Sequence, residues 1–164
     1  MTVIISVVFT LVSAEALDGA GYFTAIGALL LFIAIGIVFD IVGMAVTSAS
    51  EAPFHSMASH RERGAKEALR LIKNADKVAS VCNDVVGDIA GIVSGTTSAV
   101  IVTNLVKDLH AGNLVLQLAF SGTVAGLTIG GKALGKVTAR RQSTKIVLLV
   151  GKIVAFFPVG RAKK

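Results

Sequence analysis

Charge and cysteine are what this chain has least of. Only 16% of its 164 residues are charged, against 54% that are apolar, and the mean hydropathy is +0.79. So few charges cannot cover an apolar core of that size in water, which argues against a soluble protein. The single cysteine, Cys82, excludes an internal disulfide and argues against a zinc cluster. Its plainest reading is a small buried apolar residue. The three histidines, His55, His60 and His110, have no helical i, i+4 partner. No Ser/His/Asp set shares one loop, so no enzyme template applies and no catalytic activity is expected. No motif for RNA or DNA is present, and no nucleic-acid partner is expected. The net charge of +6 is what basic cytoplasmic loops facing anionic headgroups would give.

What the chain does have is long apolar runs parted by one basic island. A hydrocarbon core of about 30 Å takes roughly 20 apolar residues per helix. Residues 21–39 are nineteen uncharged residues, and the run continues past Asp40 to Val46. Residues 89–106 are eighteen, extended backwards through Asp88, and residues 111–131 are twenty-one. Residues 1–14 are only fourteen. They form a retained span if Glu15 snorkels at the interface, or a signal-like segment cut near Val12-Ser13-Ala14. No basic residue precedes them, so the usual n-region is missing. The expected fold is all-α: a polytopic integral membrane protein with three to four transmembrane helices and a cytoplasmic juxtamembrane helical hairpin. Its expected divisions are an N-terminal apolar segment at 1–20, a transmembrane domain at 21–157 with a helical loop at about 52–80, and a basic tail at 158–164.

Orientation follows from lysine and arginine. The island carries Arg61, Arg63, Lys66, Arg70, Lys73 and Lys77, and the tail Lys136, Arg140, Arg141 and Lys145. Both should face the cytoplasm of a cell-membrane protein. Ser59 and Glu62 have capping-box spacing, which predicts a helix starting near His60. Ala65, Ala68, Leu69, Ile72 and Ala75 then recur at helical spacing, with basic residues on the remaining surface. Such a helix lies in the interface or packs as a hairpin on itself. The later run 146–157 is interrupted by Lys152 and too short to span, so it should lie against the membrane or a partner.

Ionisable and polar residues at span ends mark ion paths or pair with one another. Here they are Asp40, Ser48, Ser50, Glu51, Asn83, Asp84, Asp88 and Lys132. Asp84 and Asp88, four apart, share a helix face beside Asn83. Oxygen donors of this kind suit Mg²⁺, or the acids pair with Lys132 or the island. Gly126-x-x-x-x-Gly131-Lys132 imitates a phosphate loop, but Ala133 stands where Ser or Thr would hold the metal and no strand precedes it. The four-spaced glycines Gly91/Gly95, Gly126/Gly130 and Gly131/Gly135 read better as helix-packing positions.

Several stretches, in order, resemble the membrane domain of the CorB/CorC/cyclin-M magnesium transporters. Ser48-Ala49-Ser50-Glu51-Ala52 is similar to that family's Ser-Gly-Ser-Glu-Thr-Ala motif. The run from Gly64-Ala65-Lys66 to Asn74-Ala75-Asp76 is similar to its juxtamembrane hairpin. Cys82-Asn83-Asp84 stands at its Gly-Asn-Asn motif, and Gly131-Lys132-Ala133-Leu134-Gly135-Lys136 at its Gly-Glu-Ile-x-Pro-Lys motif. The resemblance covers residues 38–157. It implies a homodimer in the bilayer and a dehydrated Mg²⁺ site using Ser48, Asn83 and the position of Lys132. Lys132 replaces the family's acidic ligand, so Asp84 or Asp88 would have to substitute. The expected metal set is therefore Ser48, Asn83, Asp84 and Asp88, with Mg²⁺ or another divalent cation as the ion. The rival expectations are a membrane scaffold or regulatory subunit that keeps the fold, and a surface adaptor acting through the basic island.

Overall fold

The computed structural model describes residues 21–108 and 114–156, with Val7 alone before them. Every regular element among them is helical. Helix α1 (Tyr22–Ser48) is followed by α2 (Ala52–Ser59), α3 (Ala65–Lys73) and α4 (Ala75–Ala79). A π-helical stretch (Ser80–Gly87) leads into α5 (Asp88–Asp108), and α6 (Leu114–Arg141) and α7 (Ser143–Phe156) complete the chain order.

Two described helical runs are long and apolar enough to cross a membrane, Tyr22–Ser48 and Ala75–Leu105. The sequence led us to expect three to four. The first expected segment, residues 1–14, lies outside the described residues. The last expected span, residues 111–131, begins at residues 111–113, outside the described ones, and the rest of it falls in the 28-residue α6. Only 28% of the most apolar part of α1 and 44% of that of the second run are buried within the chain. A helix that is apolar all round and mostly uncovered is compatible with lipid as its surroundings.

The chain divides into two compact units. Unit 1 comprises residues 1–38 and 85–133, and unit 2 residues 39–84 and 134–164. In unit 1, Ala25, Leu29 and Ile33 form one stripe of α1 and cluster with Ile101 of α5, flanked by Phe120 and Val124 of α6. Close approach is local. A Cβ on Gly36 would sit 3.2 Å from that of Ala90, and one on Gly131 2.5 Å from Ile37 Cδ1.

The expected packing glycines behave differently. Gly91, Gly95, Gly126 and Gly130 have nothing within 4 Å of a would-be Cβ. Among the described residues they are open positions, because spacing alone does not say which face of a helix meets a neighbour.

Unit 2 is built around the island. Ala45, Val46, Phe54, Ala68, Ala139 and Val147 form its core, all at 0–1% exposure. Helices α2 and α3 make a hairpin, and α7 packs along α3. Pro53 opens α2 where its missing N–H costs nothing. The helix expected to begin near His60 begins instead at Ala65. Ser59 is the last residue of α2, its hydroxyl donating to the Ser56 carbonyl at 2.6 Å. The chain then turns, with Glu62 N–H donating to Met57 O (2.9 Å) and Arg61 N–H to Ala58 O (3.1 Å). That is a helix-ending Schellman pattern, so the Ser59/Glu62 spacing marks an end rather than a start.

Gly64 holds φ +84°, and its backbone meets α7 directly. A Cβ there would lie 2.6 Å from Lys152 N and 2.9 Å from Gly151 C, while a Cβ on Gly151 would strike the Gly64 carbonyl oxygen. The run expected to lie against the membrane or a partner packs, over its described residues 146–156, along the chain's own α3 with one face. The expected apolar stripe Ala65, Ala68, Leu69 and Ile72 faces inward, and Lys66, Arg70 and Lys73 lie exposed.

Candidate ion site

Asn83 is the residue around which unit 2 offers coordination chemistry. It sits inside the π-helical stretch Ser80–Gly87, where i→i+5 bonding interrupts the regular ladder and which in other proteins often marks a working site. Its side chain is half-buried, and its Oδ1 is fully buried with no hydrogen-bond donor among the described residues. An orphaned buried oxygen costs about 1–3 kcal/mol.

The amide can occupy this place because residue 43 is glycine. A Cβ on Gly43 would lie 2.5 Å from Asn83 Oδ1, 3.0 Å from Cγ and 3.1 Å from Nδ2. Gly43 belongs to α1, and Asp40, one turn earlier on that helix, is 7% exposed. Cys82, beside Asn83, is a free buried cysteine, as its plain reading expected. The chain thus sets a buried carbonyl-type oxygen against a side-chain-free turn of α1.

The other expected ligands are placed as follows. Ser48 closes α1, five residues beyond Gly43 and so roughly 7.5 Å further along the axis, and is exposed. Asp84 is exposed in the π-helical stretch. Asp88, the first residue of α5, is exposed and belongs to unit 1, as does the partly buried Lys132 of α6. Among the described residues no three His, Cys, Asp or Glu side chains group to hold a metal ion.

No family model, curated protein or solved structure matches the chain. Its chemistry therefore has to be argued from its own residues.

One sequence reading stands and one changes. The imitation phosphate loop at Gly126–Lys132 lies wholly inside α6, so its backbone N–H groups are committed to the helix and cannot cradle a phosphate. His55 does have an i, i+4 partner: its Nε2 lies 3.3 Å from Glu51 Oε2, an exposed contact that is ionic only when the ring is protonated.

Sequence reasoning missed Gly43 and the π-helical stretch. Gly43 had a faint signal, a glycine one turn after the single acid of a long apolar run. The orphaned amide could not be foreseen, because it arises only when two distant segments meet.

A second orphan lies in unit 1. Thr97 Oγ1 is buried without a partner among the described residues, on a face of α5 that also buries Ser94 and Ser98. Ser94 resolves its hydroxyl locally by donating to the Gly91 carbonyl at 3.0 Å. Thr97 is hemmed in at 1% exposure.

Proposed function

We propose that the chain is a multi-pass cell-membrane protein that takes a divalent cation, Mg²⁺ foremost, as its cargo, in the manner of the CorB/CorC/cyclin-M membrane domains it resembles. One observation carries the reading: the buried, donorless Asn83 Oδ1 in a π-helical stretch of an apolar helix. Hard cations take amide oxygens, and Mg²⁺ keeps several of its waters while exchanging one or two for protein oxygens. A single orphaned oxygen suits that partial dehydration better than it suits an all-protein cage.

In this reading the exposed Ser48 and Asp84 meet the hydrated ion first. Asn83 Oδ1, set against the side-chain-free turn at Gly43, replaces a water of the ion. Release follows a shift of the π-helical stretch toward α-helical register, which would withdraw the amide from Gly43. The basic island and the C-terminal helices lie on the cytoplasmic side. The uncovered glycines Gly91, Gly95, Gly126 and Gly130 offer faces on which a second copy could pack closely.

The test is Asn83→Leu in the purified full chain. Without Mg²⁺ the variant should be more stable than wild type, by about 1–3 kcal/mol, because the orphan is gone. Mg²⁺ should raise the thermal stability of wild type and leave the variant unmoved. A Mg²⁺ effect undiminished in the variant would place the ion elsewhere.

A membrane scaffold is the second reading. It is favoured by Lys132 at the position where the resembled family has its acidic ligand, and it predicts no Mg²⁺ effect in either protein.

A further inference from the structure

Unit 2 holds an open cleft of about 1250 Å³ between the α2–α3 link and the end of α7. Four cations line it, Arg61, Arg63, Lys66 and Lys152, against two carboxylates, Glu62 and Glu67. Lys152 Nζ lies 3.7 Å from Glu62 Oε1. Among the described residues, Arg61, Arg63 and Lys66 have no such partner, and all three are exposed. The cleft is therefore an unneutralised cationic surface, one that would take an anion able to accept several charge-assisted hydrogen bonds.

Arg61 adds an independent sign. It holds φ 58°, the left-handed position of the Schellman turn that closes α2. Glycine fills that position at least cost, and a side chain there is strained. The turn itself makes no use of a guanidinium, because its two bonds run through backbone N–H groups. A strained arginine at the mouth of a cationic cleft points to a role for its side chain.

The surface beside the cleft is apolar. Phe156 lines it and is 83% exposed, and Leu149 and Ile153, at 60% and 52%, lie on the same face of α7. Cations next to an uncovered apolar stripe are the complement of a phospholipid, with its phosphate above and its acyl chains beside. Connectivity agrees. The α2–α3 hairpin begins four residues after α1 ends at Ser48 and ends just before the second apolar run begins at Ala75.

We propose that this cleft binds the headgroup of an anionic phospholipid, held by Arg61, Arg63 and Lys66, with Leu149, Ile153 and Phe156 against its acyl chains. The proposal rests on the membrane part of the function proposed above, and not on the ion site.

The experiment uses the full chain and begins with a carbonate wash of membranes from cells expressing it. The chain should stay in the membrane; its release would overturn the membrane reading and this site together. The detergent-purified chain is then melted with phosphatidylglycerol, phosphatidylcholine or inorganic phosphate. Phosphatidylglycerol should raise the Tm by several degrees, and the other two should not. In Arg61→Gly the basal Tm should be at or above that of wild type while at least half of the phosphatidylglycerol shift is lost. Lys66→Gln, on an exposed turn of α3, should lose a similar share with the basal Tm unchanged. Retention in the membrane with equal shifts from the two lipids would overturn the lipid site alone, as would full shifts in both variants. A shift reproduced by phosphate would mean a free-anion site instead.

Discussion

Unit 1 and unit 2 are made of the same apolar residues but enclose them to different degrees. In unit 2 the core side chains are covered to the last ångström: Phe54, Ala68, Ala139 and Val147 are each at 0% exposure. In unit 1 the cluster around Leu29 and Ile33 is a narrow seam, and much of the rest points outward. Phe23 is 94% exposed, and Leu30, Leu31, Leu118, Leu127 and Ile129 are exposed with it. Two phenylalanines, one sealed and one bare, summarise the contrast. Unit 2 seals a core and leaves bare an outer stripe that includes Leu149, Ile153 and Phe156, whereas unit 1 seals only a seam and leaves long faces of its helices for something else to cover. Lipid is one surrounding compatible with helices whose backbone groups are paired internally.

The strongest way to break this contrast is to cut the two phenylalanines down. Phe54→Ala should cost about 3–5 kcal/mol, because the ring is wholly enclosed and leaves a cavity. Phe23→Ala should change stability little. Thermal melts in one detergent compare the two. Similar losses would mean that residue 23 is covered by protein in the working molecule, as a homodimer face would be.

Glycine substitutions sharpen the comparison at the next level. Gly151→Ala places a methyl against the Gly64 carbonyl and the Ala68 backbone. Neither can yield without moving α3 off α7, so a loss of about 1–3 kcal/mol is expected. Gly91→Ala and Gly126→Ala meet open space, and the gain in helix propensity favours them by up to about 1 kcal/mol. If these two instead lower stability or shift the chain to a smaller species on size exclusion, the open glycines are contact points between copies.

Much of unit 2 was legible beforehand, and the reasons are physical. An amphipathic helix announces itself when small apolar residues recur at 3.6 spacing between cations, and Ala65, Ala68, Leu69 and Ile72 do so. The helix followed from that, but whether it lay in the interface or packed as a hairpin did not. What stayed hidden was every contact made by an absence of atoms. Gly36, Gly43, Gly64 and Gly151 matter because a backbone or side chain of a distant segment comes within reach. Gly91 and Gly95, with the more suggestive spacing, meet nothing among the described residues. The capping signal failed for a related reason. Ser59 and Glu62 stand three apart whether they open a helix or flank the turn that closes one, and only the backbone sign at Arg61 separates the cases. For the candidate site, Asn83 was legible as a polar residue in an apolar context. The turn of α1 that accommodates it was not.

The smallest effect concerns the one ion pair at the cleft, and it asks whether charge or close backbone contact holds α3 to α7. Lys152 and Glu62 are 48% and 42% exposed and 3.7 Å apart. Exposed pairs of this kind contribute about 0–1 kcal/mol, screened further by salt. Glu62→Gln should therefore leave the melting temperature nearly unchanged at any ionic strength, since Gly64 and Gly151 still lock the crossing. It should at the same time release Lys152 into the cleft and remove one of its two carboxylates. The expected result is a variant of wild-type stability whose response to phosphatidylglycerol is larger than that of wild type, most clearly at low salt. A substantial loss of stability, reversed by a charge swap of both residues, would instead make the ion pair the fastener of unit 2 and leave the glycine contact secondary.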